Sequence, residues 1–259
     1  MVDAKTLLQC RNVTKAFGAL AAVNDLSFSV ESGQILGIGG PNGAGKTALF
    51  DTISGINPCT SGEIVFDGTR IDRFSSDRIC HLGLSRTFQL NSGFNTLTVE
   101  ENIQVSRYFG RANRVIPGIR FDRSTYEAVD EIVDLVGLGD YAKVRVLNLP
   151  VFQRKLLMIG AALATEPKLL MLDEPVGGLI HTEIDAIIEL VERIARRNIT
   201  VIVIEHVMRF LIQLCDSVMI LHRGKLLFKG PPKEMLSNEQ VIAVYLGEKV
   251  AKLLVKKIG

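Results

Sequence analysis

The chain reads as short, continuously apolar runs alternating with stretches of helical period. Residues 34–38, 168–172, 200–204 and 217–221 are of strand length and β-rich or wholly apolar, the pattern of strands covered on both faces. Between the second and third lies a helix, because Ile184, Ile187, Ile188, Val191 and Ile194 keep to one face. Thr182, with Asp185 three residues on, predicts a capping box at its start. Strand–helix–strand–helix order predicts α/β architecture with a mostly parallel, doubly wound core sheet. The first third differs. Residues 8–13, 22–30 and 63–66 read as short strands broken by Gly, Asn and Asp turns, which predicts an N-terminal antiparallel β subdomain. Residues 90–163 are mainly of helical period and predict an inserted α-helical subdomain between core segments 1–89 and 164–240. Within it, Ser124 and Glu127 predict a capping box opening a helix that ends at Gly137. Residues 107–120, with Pro117, Gly118 and several arginines, read as an exposed connector. The tail 241–259 sets apolar residues among lysines and reads as a solvated terminal helix.

Composition narrows the classes. With 259 residues the chain is long enough for one large α/β domain. Lys+Arg 30 against Asp+Glu 28 gives a net charge of +2, which argues against a nucleic-acid partner. Mean hydropathy is +0.25, high for a chain in which no apolar run approaches the roughly 20 residues that span a bilayer. Residues 1–6 carry Asp3 and Lys5 and lack the apolar stretch of a secretory leader. Cys10, Cys59, Cys80 and Cys215 form no C-x-x-C pair and read as reduced thiols.

The chemistry begins at Gly40-Pro41-Asn42-Gly43-Ala44-Gly45-Lys46-Thr47, followed by Ala48. This fits G-x-x-x-x-G-K-[ST] in full and follows the strand 34–38. Its glycines let backbone N–H groups curl around a polyphosphate, Lys46 brings a charge to the β- and γ-phosphates, and the Thr47 hydroxyl is a Mg²⁺ ligand. The run 168–172 ends in Asp173-Glu174, at the carboxyl end of a strand where α/β sheets place their ligands. There Asp173 is placed for the Mg²⁺ shell and Glu174 as general base for an attacking water. An apolar run ending in Asp-Glu is common by itself; the phosphate loop upstream makes it specific. His206 follows the strand 200–204, which should lie beside the strand bearing Asp173, within reach of a γ-phosphate. Gln89, at the passage from core to helical segment, has an amide suited to bridge Mg²⁺ or water.

Together these residues resemble the ATP-binding cassette ATPases, over nearly the whole chain. The resemblance implies a P-loop NTPase fold with ATP and Mg²⁺ as cofactors. It places Phe17 where an aromatic stacks on adenine, Lys46 and Thr47 in the Walker A loop, and Gln89 in the Q-loop. Asp173 and Glu174 fall on the Walker B pair, and His206 on the switch histidine. Within the family the stretches Gly83-Leu84-Ser85-Arg86-Thr87-Phe88-Gln89, Leu97-Thr98-Val99-Glu100-Glu101-Asn102 and Val241-Ile242-Ala243-Val244-Tyr245-Leu246-Gly247 look like those of branched-chain amino acid importers. The resemblance implies permease subunits docked in a groove lined by residues near 90–97, a second cassette subunit and, indirectly, a solute-binding protein. It also implies a peripheral place on the cytoplasmic face of the membrane.

Two departures stand out. The family signature, Leu-Ser-Gly-Gly-Gln or a close variant, aligns with Leu149-Pro150-Val151-Phe152-Gln153, so the serine and both glycines are lost. After Gly177-Gly178-Leu179, where the family's D-loop has Asp or Asn, stands Ile180. In the family both elements act on the nucleotide held by the other subunit, which predicts a heterodimer with unequal sites. Two other classes compete. A cassette ATPase acting on DNA or ribosomes fits poorly, for the charge is near neutral and no sustained heptads occur. A nucleotide-binding scaffold with weak hydrolysis is kept open by the degenerate signature and opposed by the intact Glu174 and His206. Importers of urea, amides or other small solutes remain alternatives for the cargo.

Overall fold

The computed structural model describes residues 5–88, 93–111 and 123–246. Strands β1 (Thr6–Phe17) and β2 (Leu20–Glu31) form an antiparallel hairpin, longer than the pattern predicts. After them come β3 (Ile35–Gly39) and helix α1 (Lys46–Ile53). Strands β4 (Ser61–Phe66) and β5 (Thr69–Arg70) complete an antiparallel sheet of order β2-β1-β4-β5. Helix α2 (Ser76–His81) and the short strand β6 (Leu84–Arg86) lead into helices α3 (Val99–Arg111), α4 (Arg123–Leu135) and α5 (Val151–Leu163). The rest alternates: β7 (Leu169–Asp173), α6 (His181–Ala195), β8 (Thr200–Ile204), α7 (Met208–Leu214), β9 (Ser217–His222). The described chain closes with β10 (Lys225–Gly230), α8 (Pro232–Met235) and α9 (Glu239–Leu246).

The core sheet has the order β10-β9-β3-β8-β7-β6, parallel except for the β9–β10 hairpin. Its alternation sorts side chains into two cores. Leu36, Ile38, Leu169, Met171, Ile202 and Ile204 pack with Leu49, Phe50 and Ile53 of α1 and with the antiparallel sheet. Leu170, Leu172, Val201 and Val203 pack on the opposite face with α5, α6 and α7. Burial on both faces explains why these strands read as unbroken apolar runs. Each such side chain stabilises the fold by roughly 1.5–3 kcal/mol. Register matters most for function. Ile38 pairs with Ile204 and Ile204 with Asp173, so three parallel strands end level and their following residues emerge side by side.

Several local expectations are corrected. Strands β6 and β10 carry no pattern that sequence reading detects, being short or half-exposed. At α6 the N-cap is Ile180, not Thr182: Glu183 accepts the Ile180 backbone N–H at 3.0 Å, while Asp185 pairs with Arg209 at 2.6 Å. Ser124 does not open a helix, because α4 already includes Arg123, which pairs with Glu127 at 2.8 Å. A reciprocal capping box forms instead at α3. Thr98 N–H donates to Glu101 at 2.7 Å and Glu101 N–H to the Thr98 hydroxyl at 3.3 Å. The connector expected over 107–120 is corrected at its start, where residues 107–111 close α3 and Arg107 is buried and paired with Glu166 at 3.0 Å. Residues 112–120 and the tail beyond Leu246 lie outside the described residues. So does Gln89.

Candidate functional site

The loop between β3 and α1 is built on backbone that side chains would block. Gly40 sits at φ +143°, where a Cβ would come within 2.3 Å of the Leu221 carbonyl oxygen. Gly45, the N-cap of α1, sits at φ +101° with the Ala22 carbonyl oxygen 2.1 Å from where its Cβ would be. Only glycine fits at either place. Lys46 is buried and its Nζ donates to the carbonyls of Gly40 at 2.8 Å and Pro41 at 3.0 Å, so the ammonium lies curled over the loop. Burial lowers its pKa, opposed by the charges of Glu174, Asp173 and Glu205. Those three carboxylates are thus its electrostatic neighbours. Thr47, beside it, is exposed, as are Asn42 and Gly43; Pro41 is half-buried and Ala44 buried.

Asp173 closes β7, buried, its backbone N–H donating to the Thr87 hydroxyl at 3.1 Å and its carboxylate taking Arg86 Nη2 at 2.8 Å. Glu174 follows at φ +49°, uncommon for a residue with a side chain. Two bonds hold it there. Its N–H donates to the Ile204 carbonyl at 3.0 Å, and its carbonyl accepts Lys155 Nζ at 2.9 Å. Lys155 is the buried lysine of α5, with its pKa lowered by burial. Glu205, at the end of β8, is fully buried and accepts the N–H groups of Val176 at 2.9 Å, His206 at 2.9 Å and Val207 at 3.3 Å. One carboxylate therefore ties the turn after Glu174 to the turn carrying His206, whose imidazole is exposed. Glu205→Ala should cost about 3 kcal/mol in denaturant unfolding, since it orphans buried amides that now meet a charged acceptor. Lys155, Glu205 and Arg86 escape sequence reading. The one signal was a charged residue, Glu205, ending an otherwise apolar strand.

The remaining predicted residues stand apart. Phe17 ends β1 with its ring exposed and Lys15 Nζ 4.9 Å from the ring centroid. At the altered signature Leu149 is buried and Pro150 caps α5 without a side-chain bond. Val151 is exposed, whereas Phe152 and Gln153 are half-buried. Arg154 staples this turn through the carbonyls of Leu149 at 2.9 Å and Leu147 at 2.8 Å. Ile180 is 66% exposed and, as an N-cap that offers no acceptor, forgoes about 1 kcal/mol of helix stability.

The donor set fits a nucleotide with Mg²⁺. The N-terminus of α1 has no capping side chain and no acid in its first turn, and Lys46 adds a charge, which suits a polyanion. Among the described residues no group of three His, Cys, Asp or Glu is arranged to hold a metal. One carboxylate, one hydroxyl and phosphate oxygens are the usual environment of Mg²⁺.

Beside the site a groove of about 710 Å³ opens between the core and helices α2, α3 and α5. Phe88, Phe94 and Phe109 present exposed rings along it, with Ile56 and Met158. Asn102 fixes Phe94 by bonding both its N–H, at 2.8 Å, and its carbonyl, at 3.2 Å. Among the described residues no helix is long and apolar enough to cross a membrane.

Comparison with known proteins agrees with this architecture. The ABC transporter family model matches residues 23–177, and that of the branched-chain amino acid ATP-binding cassette transporter matches residues 225–251. The high-affinity branched-chain amino acid transport ATP-binding protein BraF of Pseudomonas aeruginosa is 33% identical over 94% of this chain and 99% of its own. The lipopolysaccharide export system ATP-binding protein LptB of Haemophilus influenzae is 30% identical over 94% and 98%. A solved ATP-binding cassette of an ABC transporter, in its ADP conformation, superposes with a TM-score of 0.86 at 27% identity, covering 94% of this chain and all of that one. A P-loop core sheet, an antiparallel β subdomain, inserted helices and full-length relatives together settle the matter: the chain belongs to the ATP-binding cassette family of ABC transporter ATPases.

Proposed function

We propose that this chain is the ATP-hydrolysing subunit that energises a membrane importer for branched-chain or chemically related amino acids. The observation that carries the reading is the level ending of β3, β8 and β7, which sets the phosphate loop, His206 and Asp173-Glu174 at one edge of the sheet. The match of residues 225–251 to the branched-chain transporter model favours import of such amino acids over the export role of LptB. Residues 1–89 and 164–240 act as the nucleotide-binding core, 90–163 as the helical subdomain and 241–259 as a tail.

In this reading the loop from Gly40 to Ala48 and the Lys46 ammonium bind the polyphosphate, and Phe17 offers its ring to adenine. Thr47, Gln89 and Asp173 hold Mg²⁺, which when bound neutralises charge on the phosphate oxygens. Glu174 takes the proton of the attacking water, and His206 contacts the γ-phosphate. The backbone bonds of Glu174 to Ile204 and Lys155 fix the main chain that carries its carboxylate, so that ordering is not left to the moment of reaction.

The site is incomplete in one chain. Pro150 supplies neither hydroxyl nor N–H, and Val151 and Phe152 place side chains where a bare backbone would approach phosphate. We therefore read the working unit as a heterodimer in which another cassette, with an intact signature, completes the site on Lys46. In this reading the groove lined by Phe88, Phe94 and Phe109 receives the permease, with the subunit on the cytoplasmic face of the membrane. Phe94→Asp should release the chain from detergent-solubilised permease while leaving ATP affinity unchanged; retained co-purification would remove the groove from the account. Uptake of labelled leucine, urea and a short amide by vesicles containing the assembled complex tests the cargo. Uptake of urea or amide alone would replace the amino-acid reading.

A further inference from the structure

Arg86 stands between the two halves of the site and belongs to neither motif. It ends β6, with its side chain only 5% exposed. One arm of the fork, Nη1, reaches Asp51 of α1 at 2.6 Å and Ser54 at 3.4 Å; the other, Nη2, reaches Asp173 at 2.8 Å. Its third polar atom, Nε, is buried with no hydrogen-bond partner. The guanidinium carbon lies 5.4 Å from the rings of both Phe50 and Phe88. A planar cation thus spans two carboxylates in apolar walls, held by its tip alone.

A carboxylate already paired with a buried cation binds a second cation less readily, because both compete for the same charge in a weakly screened place. Asp51 pulls Arg86 the other way. We propose that Arg86 is a positioning residue that holds Asp173 as its resident counter-cation and so sets the Mg²⁺ concentration that nucleotide binding requires. This rests on the reading of Asp173 as a Mg²⁺ ligand. Because Nη1 holds Asp51 and Nη2 holds Asp173, the fork can leave Asp173 while Asp51 retains it.

The experiment is equilibrium binding of a fluorescent ATP analogue to the purified full chain, titrated with MgCl₂, with no turnover in the readout. Arg86→Met should lower the half-saturating Mg²⁺ concentration roughly tenfold, the effect expected of removing one close competing charge. Asp51→Asn should raise it severalfold, since Arg86 then rests on Asp173 alone. Arg86→Lys, a point charge without the fork, should fall between wild type and Arg86→Met. Opposite shifts from the two substitutions cannot come from a general loss of fold, and Asp51→Asn with Arg86→Lys carries the test if Arg86→Met does not fold. An unchanged or higher Mg²⁺ requirement in Arg86→Met, or an unchanged or lower one in Asp51→Asn, overturns the proposal. Asp173→Asn separates the two levels. If it abolishes the Mg²⁺ dependence while Arg86→Met does nothing, only the role of Arg86 fails; if it leaves the dependence intact, the ligand reading fails and the proposal with it.

Discussion

Glu174→Gln should keep nucleotide affinity and lower single-turnover hydrolysis in the assembled transporter by roughly 10²- to 10⁴-fold, the usual contribution of a positioned base. The amide matches the carboxylate in shape, so the backbone that holds residue 174 at φ +49° is undisturbed. The bonds fixing that backbone, from its N–H to Ile204 and from Lys155 to its carbonyl, do not involve the side chain. Only basicity is lost. Binding without hydrolysis should also leave the cassette pair closed in ATP and Mg²⁺, visible by size exclusion. Hydrolysis at the wild-type rate would mean that another group accepts the proton of water.

Lys46→Ala should weaken ATP binding by about 3 kcal/mol, a little over a hundredfold in Kd, with no loss of thermal stability. Lys46 now spends two donors on the carbonyls of Gly40 and Pro41, and burial disfavours its charge. Alanine removes a cation whose charge burial disfavours, so the fold has little to lose. The bound state loses its charge-assisted contacts to phosphate. Calorimetric titration beside a melting curve reads both quantities; unchanged affinity would sink the phosphate-loop assignment.

What the sequence displayed was what is contiguous. The phosphate loop is one run of residues whose spacing is itself the geometry, and the four buried strands carry their environment in their composition. The antiparallel subdomain was equally visible, through its turns. Strand β6 was not, for three residues including Ser85 and Arg86 give no period to count. Capping was read at Ser124 and Thr182, yet the full box forms at Thr98 and only its glutamate half at Ile180. The polar scaffold was hidden for a different reason. Arg86, Asp51 and Asp173 come from three separate elements, and Lys155 meets Glu174 only because α5 packs against the end of β7. Such juxtapositions exist in the fold and have no spacing along the chain.

The altered signature concentrates the account. Pro150, Val151 and Phe152 begin α5 with no hydroxyl or bare backbone to offer, and Val151 and Ile180 expose apolar side chains at the starts of α5 and α6. On the heterodimer reading proposed above, a homodimer would set this surface against both nucleotides. The decisive measurement is ATP hydrolysis by the assembled complex carrying Glu174→Gln, set against the same complex carrying the equivalent substitution in the other cassette. The account predicts that the first removes most transport-coupled hydrolysis and the second removes little. Equal losses from the two, or vigorous hydrolysis by this chain alone as a homodimer, would contradict it.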